Sequence, residues 1–211
     1  MLTRMLLVAA TAAAVLTGIS CNPNAGSIFP MTIGSVWHRE SYLLEGQAGA
    51  TLDTFETGVT TTTAFEKASL TNGKEVVKFK SESTIHLRTL DSTYTTTGDS
   101  LLRQEEGAIL IYGALDDTIG DTVIMSSPAV GQSWSTGPAT SIIVDQGDVT
   151  VAAGTYKKAW EIKTITNIGG VTVEMHSWYA RGVGKVKMHG EGEYQGYSAV
   201  YNEELTSATI K

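Results

Sequence analysis

The sequence predicts a mainly all-β protein, a twisted antiparallel sheet that curls on itself or splits into two layers. Three observations predict it. Side-chain character alternates with period two over long stretches, glycines fall at spacings that suit hairpin turns, and threonine is abundant while proline is scarce. Beyond the first 20 residues no apolar pattern of helical period holds for four turns.

The chain opens on a different kind of segment. Arg4 precedes an apolar run, Met5 to Leu16, of signal-peptide length and short of the roughly 20 residues that cross a bilayer. Thr17-Gly18-Ile19-Ser20-Cys21 follows, with small residues before the only cysteine of the 211-residue chain. This resembles a lipobox, the site at which a cysteine is acylated before the leader is cut. Gly18 stands where that signal usually has Leu. Residues 1–20 are therefore expected to be a lipoprotein signal peptide, and Cys21 the lipid attachment point. The expected modification is a diacylglyceryl group plus an N-acyl chain such as palmitate. Two or more acyl chains hold a protein at a membrane where one does not. A single cysteine also rules out an intramolecular disulfide. Asn22 follows Cys21, where inner-membrane retention in enteric bacteria uses Asp, so an outer-membrane, periplasm-facing location is expected. The rest of 21–27 is a polar, turn-rich tether, and 28–211 forms one β-rich domain.

The formal net charge is −7, and Arg4 is the leader's one charge, so the mature domain is more acidic still. Such a surface repels phosphate backbones and anionic lipid headgroups, which disfavours nucleic-acid partners and leaves a covalent lipid as the anchor.

Within the domain, Val59 to Leu70 reads as a strand, followed by Asn72-Gly73, a type I′ hairpin signal. In the next strand Val77, Phe79, Ile85 and Leu87 share one parity and Lys78, Lys80, Glu82 and His86 the other. Gly107 interrupts the helical content after Leu101, and Ala108 to Tyr112 reads as strand. Tyr156 to Ile168 and Val171 to Tyr179 flank Gly169-Gly170 as a second hairpin. Val171, Val173, Met175 and Tyr179 face one way, Glu174, His176 and Trp178 the other. Val186 and Met188 alternate with Lys185, Lys187 and His189, and Tyr197 to Ile210 closes the chain with Tyr197, Ala199 and Tyr201 on one side. An echo links Pro30-Met-Thr-Ile-Gly-Ser-Val-Trp37 to Pro128-Ala-Val-Gly-Gln-Ser-Trp134, in which Pro and Gly shape a turn and Trp enters a strand.

Three stretches carry a family resemblance: Phe29 to Trp37; Val151-Ala-Ala-Gly-Thr-Tyr156 with Trp160-Glu-Ile-Lys163; and Trp178-Tyr-Ala-Arg-Gly-Val-Gly-Lys-Val-Lys187. They resemble the DUF3108/TapB-like group of bacterial envelope proteins and, more distantly, the half-barrel of the LolA and LolB carriers. Residues 50–120 take no part. The resemblance implies a curved sheet forming an incomplete barrel whose concave face accepts an apolar ligand. LolA-type carriers also have a helical lid, which this sequence lacks.

No residue set reads as catalytic or metal-binding. His38, His86, His176 and His189 lack metal-ligand spacing, and the first three fall on polar parities. No Gly-x-Ser-x-Gly elbow occurs, and Gly98-Asp-Ser100 lies in a polar turn region. Asp116, Asp117 and Asp121 do not follow an EF-hand spacing, and Gly182-Val-Gly184 lacks the third glycine and helix of a dinucleotide site. The aromatics Trp37, Trp134, Trp160, Trp178, Tyr179, Tyr197 and Tyr201 read first as core. Trp178 is the exception to inspect, since it sits on a polar parity. The expected function is that of a non-enzymatic, cofactor-free envelope lipoprotein binding an apolar ligand or a protein partner on its curved sheet. A structural component of an outer-membrane complex, joined by its β edges, is the alternative. A small hydrolase lacks a constellation, and a membrane-spanning barrel fits poorly with a lipobox.

Overall fold

A computed structural model of the chain describes residues 27–168 and 171–211. Twelve strands form one antiparallel sheet: β1 (Val36–Gln47), β2 (Asp53–Ser69), β3 (Glu75–Leu87), β4 (Ser92–Gln104), β5 (Ala108–Tyr112), β6 (Asp121–Met125), β7 (Ser133–Thr136), β8 (Ala139–Val151), β9 (Gly154–Ile168), β10 (Val171–Ala180), β11 (Gly184–Tyr194) and β12 (Tyr197–Thr209). The order across the sheet is β6-β5-β4-β3-β2-β1-β12-β11-β10-β9-β8-β7. Two six-stranded meanders, β1–β6 and β7–β12, are thus joined where β1 pairs with β12. The sheet curls into a nearly closed barrel, with β6 and β7 left facing each other across an unsealed seam. The incomplete barrel expected from the sequence is the architecture observed.

The Pro-Gly-Trp echo marks the start of each meander. Gly34 and Gly131 both have positive φ (87° and 91°), which glycine adopts without a Cβ penalty. Ser35 N donates to Thr32 O as Gln132 N donates to Ala129 O. Gly34 and Ser35 then exchange hydrogen bonds with Ala64 on the next strand, and Gly131 and Gln132 do the same with Ile143. The two turns are built alike, which gives the sequence echo a structural counterpart.

The parities hold in β3 and β10: Val77, Phe79, Val171, Val173 and Tyr179 are buried. Trp37, Phe79, Ile143, Ile162, Val186 and Leu205 pack with Ile28 and Phe29 into the main core at one end of the barrel. The β8–β9 turn leans into this core, Ala153 N donating to Leu205 O at 3.0 Å on β12. Ser27 sits at this same end, its hydroxyl on Gln104 and its carbonyl accepting from Gly182 N. The described chain thus begins at this end.

Three expectations need correction. Asn72-Gly73 does not form a two-residue type I′ turn. Gly73 alone has positive φ (81°), Gly73 N bonds Leu70 O, and the chain makes a three-residue loop in which glycine follows a type I turn. Tyr197, read first as core, is 51% exposed, because the strand begins beyond the packed part of the sheet. Lys185, placed on a polar parity, is buried. A bulge sets Lys185 and Val186 together opposite Tyr179, so both turn inward. Cys21 lies outside the described residues, as do residues 1–20, most of the 21–27 tether, and Gly169-Gly170. The strands flanking that glycine pair do meet, with Ile168 opposite Val171.

Candidate functional site

The barrel interior is crossed by charge. Arg39 on β1, Lys185 on β11 and Glu203 on β12 are each about 1% exposed, between the main core and a second cluster of Leu43, Met188, Ala199 and Tyr201. Lys185 Nζ lies 2.8 Å from Glu203 Oε1, and Arg39 Nε lies 3.7 Å from the same oxygen. Tyr201 donates to Glu203 Oε2 at 3.3 Å, and Arg39 reaches Thr62 Oγ1 and Lys185 O. Burial pushes the Glu203 carboxyl up, but Lys185 and Arg39 outweigh it and hold the group below its ordinary value. Burial lowers Lys185 and Arg39, with Glu203 opposing. One carboxylate therefore balances two buried cations.

Above this cluster the inner faces of β2 and β3 are lined by hydroxyls. Thr60 pairs with Ser83 at 2.8 Å and Thr62 with Ser81 at 3.0 Å. Glu56 faces the same space, buried, and its pKa is raised by burial and then by Glu45. An acyl chain entering here would lie against a carboxyl and hydroxyl pairs instead of a dry apolar wall.

On the outer face, Trp178 belongs to a ladder of paired charges. His176 stands beside it at 6.1 Å between ring centroids, and Lys187 Nζ lies 5.6 Å from its ring. His176 Nδ1 contacts Glu161 at 2.5 Å and Nε2 contacts Glu174 at 2.9 Å, while Lys163 reaches the other Glu174 oxygen at 2.6 Å. Both ring nitrogens facing carboxylates requires two N–H donors, which is the imidazolium. Burial pulls His176 down, and the hydrogen bonds it donates to Glu174 and Glu161 raise it above its ordinary value. The ladder satisfies its own charges, and Trp178, half-buried, packs against the main core beneath it.

The remaining sequence candidates are placed apart. His38 and His86 bond threonines on neighbouring strands, and His189 bonds Asn202. Asp117 accepts Gly113 N and Ala114 N, so it caps its own turn. Among the described residues no group of three His, Cys, Asp or Glu is arranged to hold a metal ion. Trp37 donates to Val183 O at 3.2 Å from within the core.

The open side of the barrel is the other candidate. On that edge β5 pairs with Leu101–Gln104 of β4, so among the described residues Ser92–Ser100 has no strand there. Across the seam, β7 pairs with β8 only from Ala139 to Ile142. The seam is bridged by side chains: Trp134 Nε1 and Thr136 Oγ1 both donate to Thr122 O, at 3.0 and 3.4 Å. Two grooves lie elsewhere on the barrel. One of about 390 Å³ at the tether end is lined by Phe29, Met31, Lys67, Glu75 and Arg103. Another of about 520 Å³ lies beside the β1–β2 loop, lined by Leu52, Glu174, Glu191 and Glu193.

This arrangement of strands is found in a solved structure. A protein from Bacteroides fragilis described as exported, with a YmcC-like fold, matches at a TM-score of 0.54 and 14% identity, over 87% of this chain and 99% of the other. The two share a fold. A protein from Parabacteroides distasonis described as a lipoprotein aligns at a TM-score of 0.42 and 15% identity, over 87% of this chain and 98% of the other. No protein-family model matches the sequence, and no curated protein does. The DUF3108/TapB-like and LolA/LolB resemblance thus gains no support as a family assignment, although the barrel it implied is present.

Neither Lys185 nor the edge of β4 was singled out from the sequence. Arg39 and Glu203 carried a readable signal: each shares parity with buried apolar residues, Trp37 and Leu43 for one, Tyr201 and Leu205 for the other.

Proposed function

We propose that the chain is a non-enzymatic lipoprotein of the cell envelope that works by binding protein along the open side of its barrel. In this reading Cys21 carries the acyl groups, and the domain stands in the periplasm at the outer membrane. The unpaired edge of β4 carries the proposal. Nine residues of extended chain, about 27 Å at strand rise, offer backbone donors and acceptors with no partner strand among the described residues. Backbone pairing with an added strand is a general mode of protein recognition.

The interior supports the partner-binding reading over an apolar cargo. The packed core at the tether end and the Arg39–Lys185–Glu203 cluster interrupt any continuous apolar path, and Glu56 with its hydroxyl neighbours makes the remaining wall polar. The tether leaves beside Gln104, and β4 runs from there to Ser92. The free edge therefore begins away from the anchored end and points from the membrane.

A photo-crosslinking residue at Thr97, on the outer face of the edge strand, is expected to give protein adducts in intact cells. The same group at Lys80, within the paired sheet, should give none. Equal adducts at both positions, or none at Thr97, would refute the edge as the binding surface. Cys21→Ser should release the protein from the membrane fraction, and unchanged association would refute the anchor.

A further inference from the structure

We infer that the occupant of the β4 edge is a second copy of this chain, paired antiparallel about Thr96 in a two-fold dimer. This inference rests on the partner-binding reading of that edge and names its partner. Beyond β5 and β7, which cover only part of their neighbours, β4 and β8 each leave a stretch without a neighbouring strand among the described residues, and the two stretches are built differently. β8 is guarded: bulges fall between Ile143 and Asp145 and between Gly147 and Val149, Asp148 is held by Lys157 at 2.6 Å, and the strand end turns into the core at Val149 and Val151. Bulges, charges and inward bends are the devices that stop strand addition. From Ser92 to Ser100 β4 has no bulge and Asp99 as its single charge. It has no proline and a regular register with β3 throughout.

With β8 guarded, and with β6 and β7 held to each other across the seam through Trp134, Thr136 and Thr122, the pairing left for β4 is with β4, a closed isologous contact. The strand is self-complementary in that arrangement. Centred on Thr96, it sets Ser92 against Ser100, Thr93 against Asp99, Tyr94 against Gly98 and Thr95 against Thr97. No like charges meet, hydroxyls face hydroxyls or the one carboxylate, and the Tyr94 ring covers the glycine. This matters for a chain of net charge −7, whose copies repel elsewhere. Hydroxyl pairs of this kind already join β3 to β4, as between Thr84 and Thr95 at 3.3 Å.

The test uses the full chain in detergent with Cys21→Ser, so that an introduced thiol is the only one. Thr96→Cys places two sulfurs on the two-fold axis, where paired strands bring Cα atoms to about 4.5–5.5 Å, within disulfide reach. Mild oxidation should yield a covalent dimer, and Thr150→Cys on the guarded β8 edge should remain monomeric. Thr95→Pro, which disturbs the ladder, should shift the non-covalent dimer to monomer in sedimentation equilibrium with its far-ultraviolet circular dichroism unchanged. A monomeric parent chain at tens of micromolar, or equal crosslinking through Thr96→Cys and Thr150→Cys, would overturn the inference. If the parent chain is monomeric yet Thr97 crosslinks a different protein in cells, the second copy is refuted and the partner-binding reading survives. If Thr97 crosslinks nothing and the chain is monomeric, both fall.

Discussion

The residues that set the character of the interior are Arg39, Lys185 and Glu203. Taking three charges out of water is costly, and mutual attraction repays it only with good geometry. Here the carboxylate is the scarce member, so the two sides of the cluster should respond differently to substitution. Glu203→Met strands two buried cations and is expected to cost about 3–5 kcal/mol in urea unfolding. Lys185→Met leaves Glu203 beside Arg39 and Tyr201, and should cost at least about 2 kcal/mol less, since isosteric apolar replacement of a buried charge is often tolerated. Similar losses for both would contradict the account. The pH dependence follows from the depressed Glu203 value: its contribution is present above the unfolded carboxyl value, near 4.3, and disappears as pH falls through the lower folded value.

At the level of elements, periodicity was a faithful guide wherever a strand stayed regular. β3 and β10 followed their alternation over their regular stretches, Val77 to Glu82 and Val171 to Val173, and lost it toward the strand ends, where Val76 is buried beside Val77 and Ala180 beside Tyr179. Periodicity failed where a bulge shifts the count, as at Tyr179, which brings Lys185 inside, and no pattern of side chains marks such a shift beforehand. The seam was equally invisible, because which strands become edges depends on how two meanders meet. The Pro-Gly-Trp echo proved more informative than its length suggested, since positive φ at Gly34 and Gly131 repeats one turn at the head of each meander. The outer ladder on β9 and β10 makes its own prediction. His176 has a raised folded value, so its stabilisation is present below the unfolded histidine value, near 6.5, and is lost as pH rises through the folded one. His176→Gln should therefore reduce stability by up to about 1 kcal/mol at pH 5.5 and have little effect at pH 9, by chemical denaturation at each pH. An equal effect at both would show that the imidazolium is not what Glu161 and Glu174 hold.

For the whole molecule, the barrel separates two surfaces. One end holds the core and the first described residue, Ser27; away from it lies the edge of β4, which has no neighbouring strand among the described residues. An interior divided by ions and lined with hydroxyls and a carboxyl suits a body that works through its outside. Native mass spectrometry of the full-length chain, released from membranes in mild detergent, puts this most directly to the test. The account predicts a polypeptide beginning at Cys21 with its own acyl groups, alone or in protein complexes, and no further small molecule in fixed ratio. A lipid-sized addition of one per chain would contradict it.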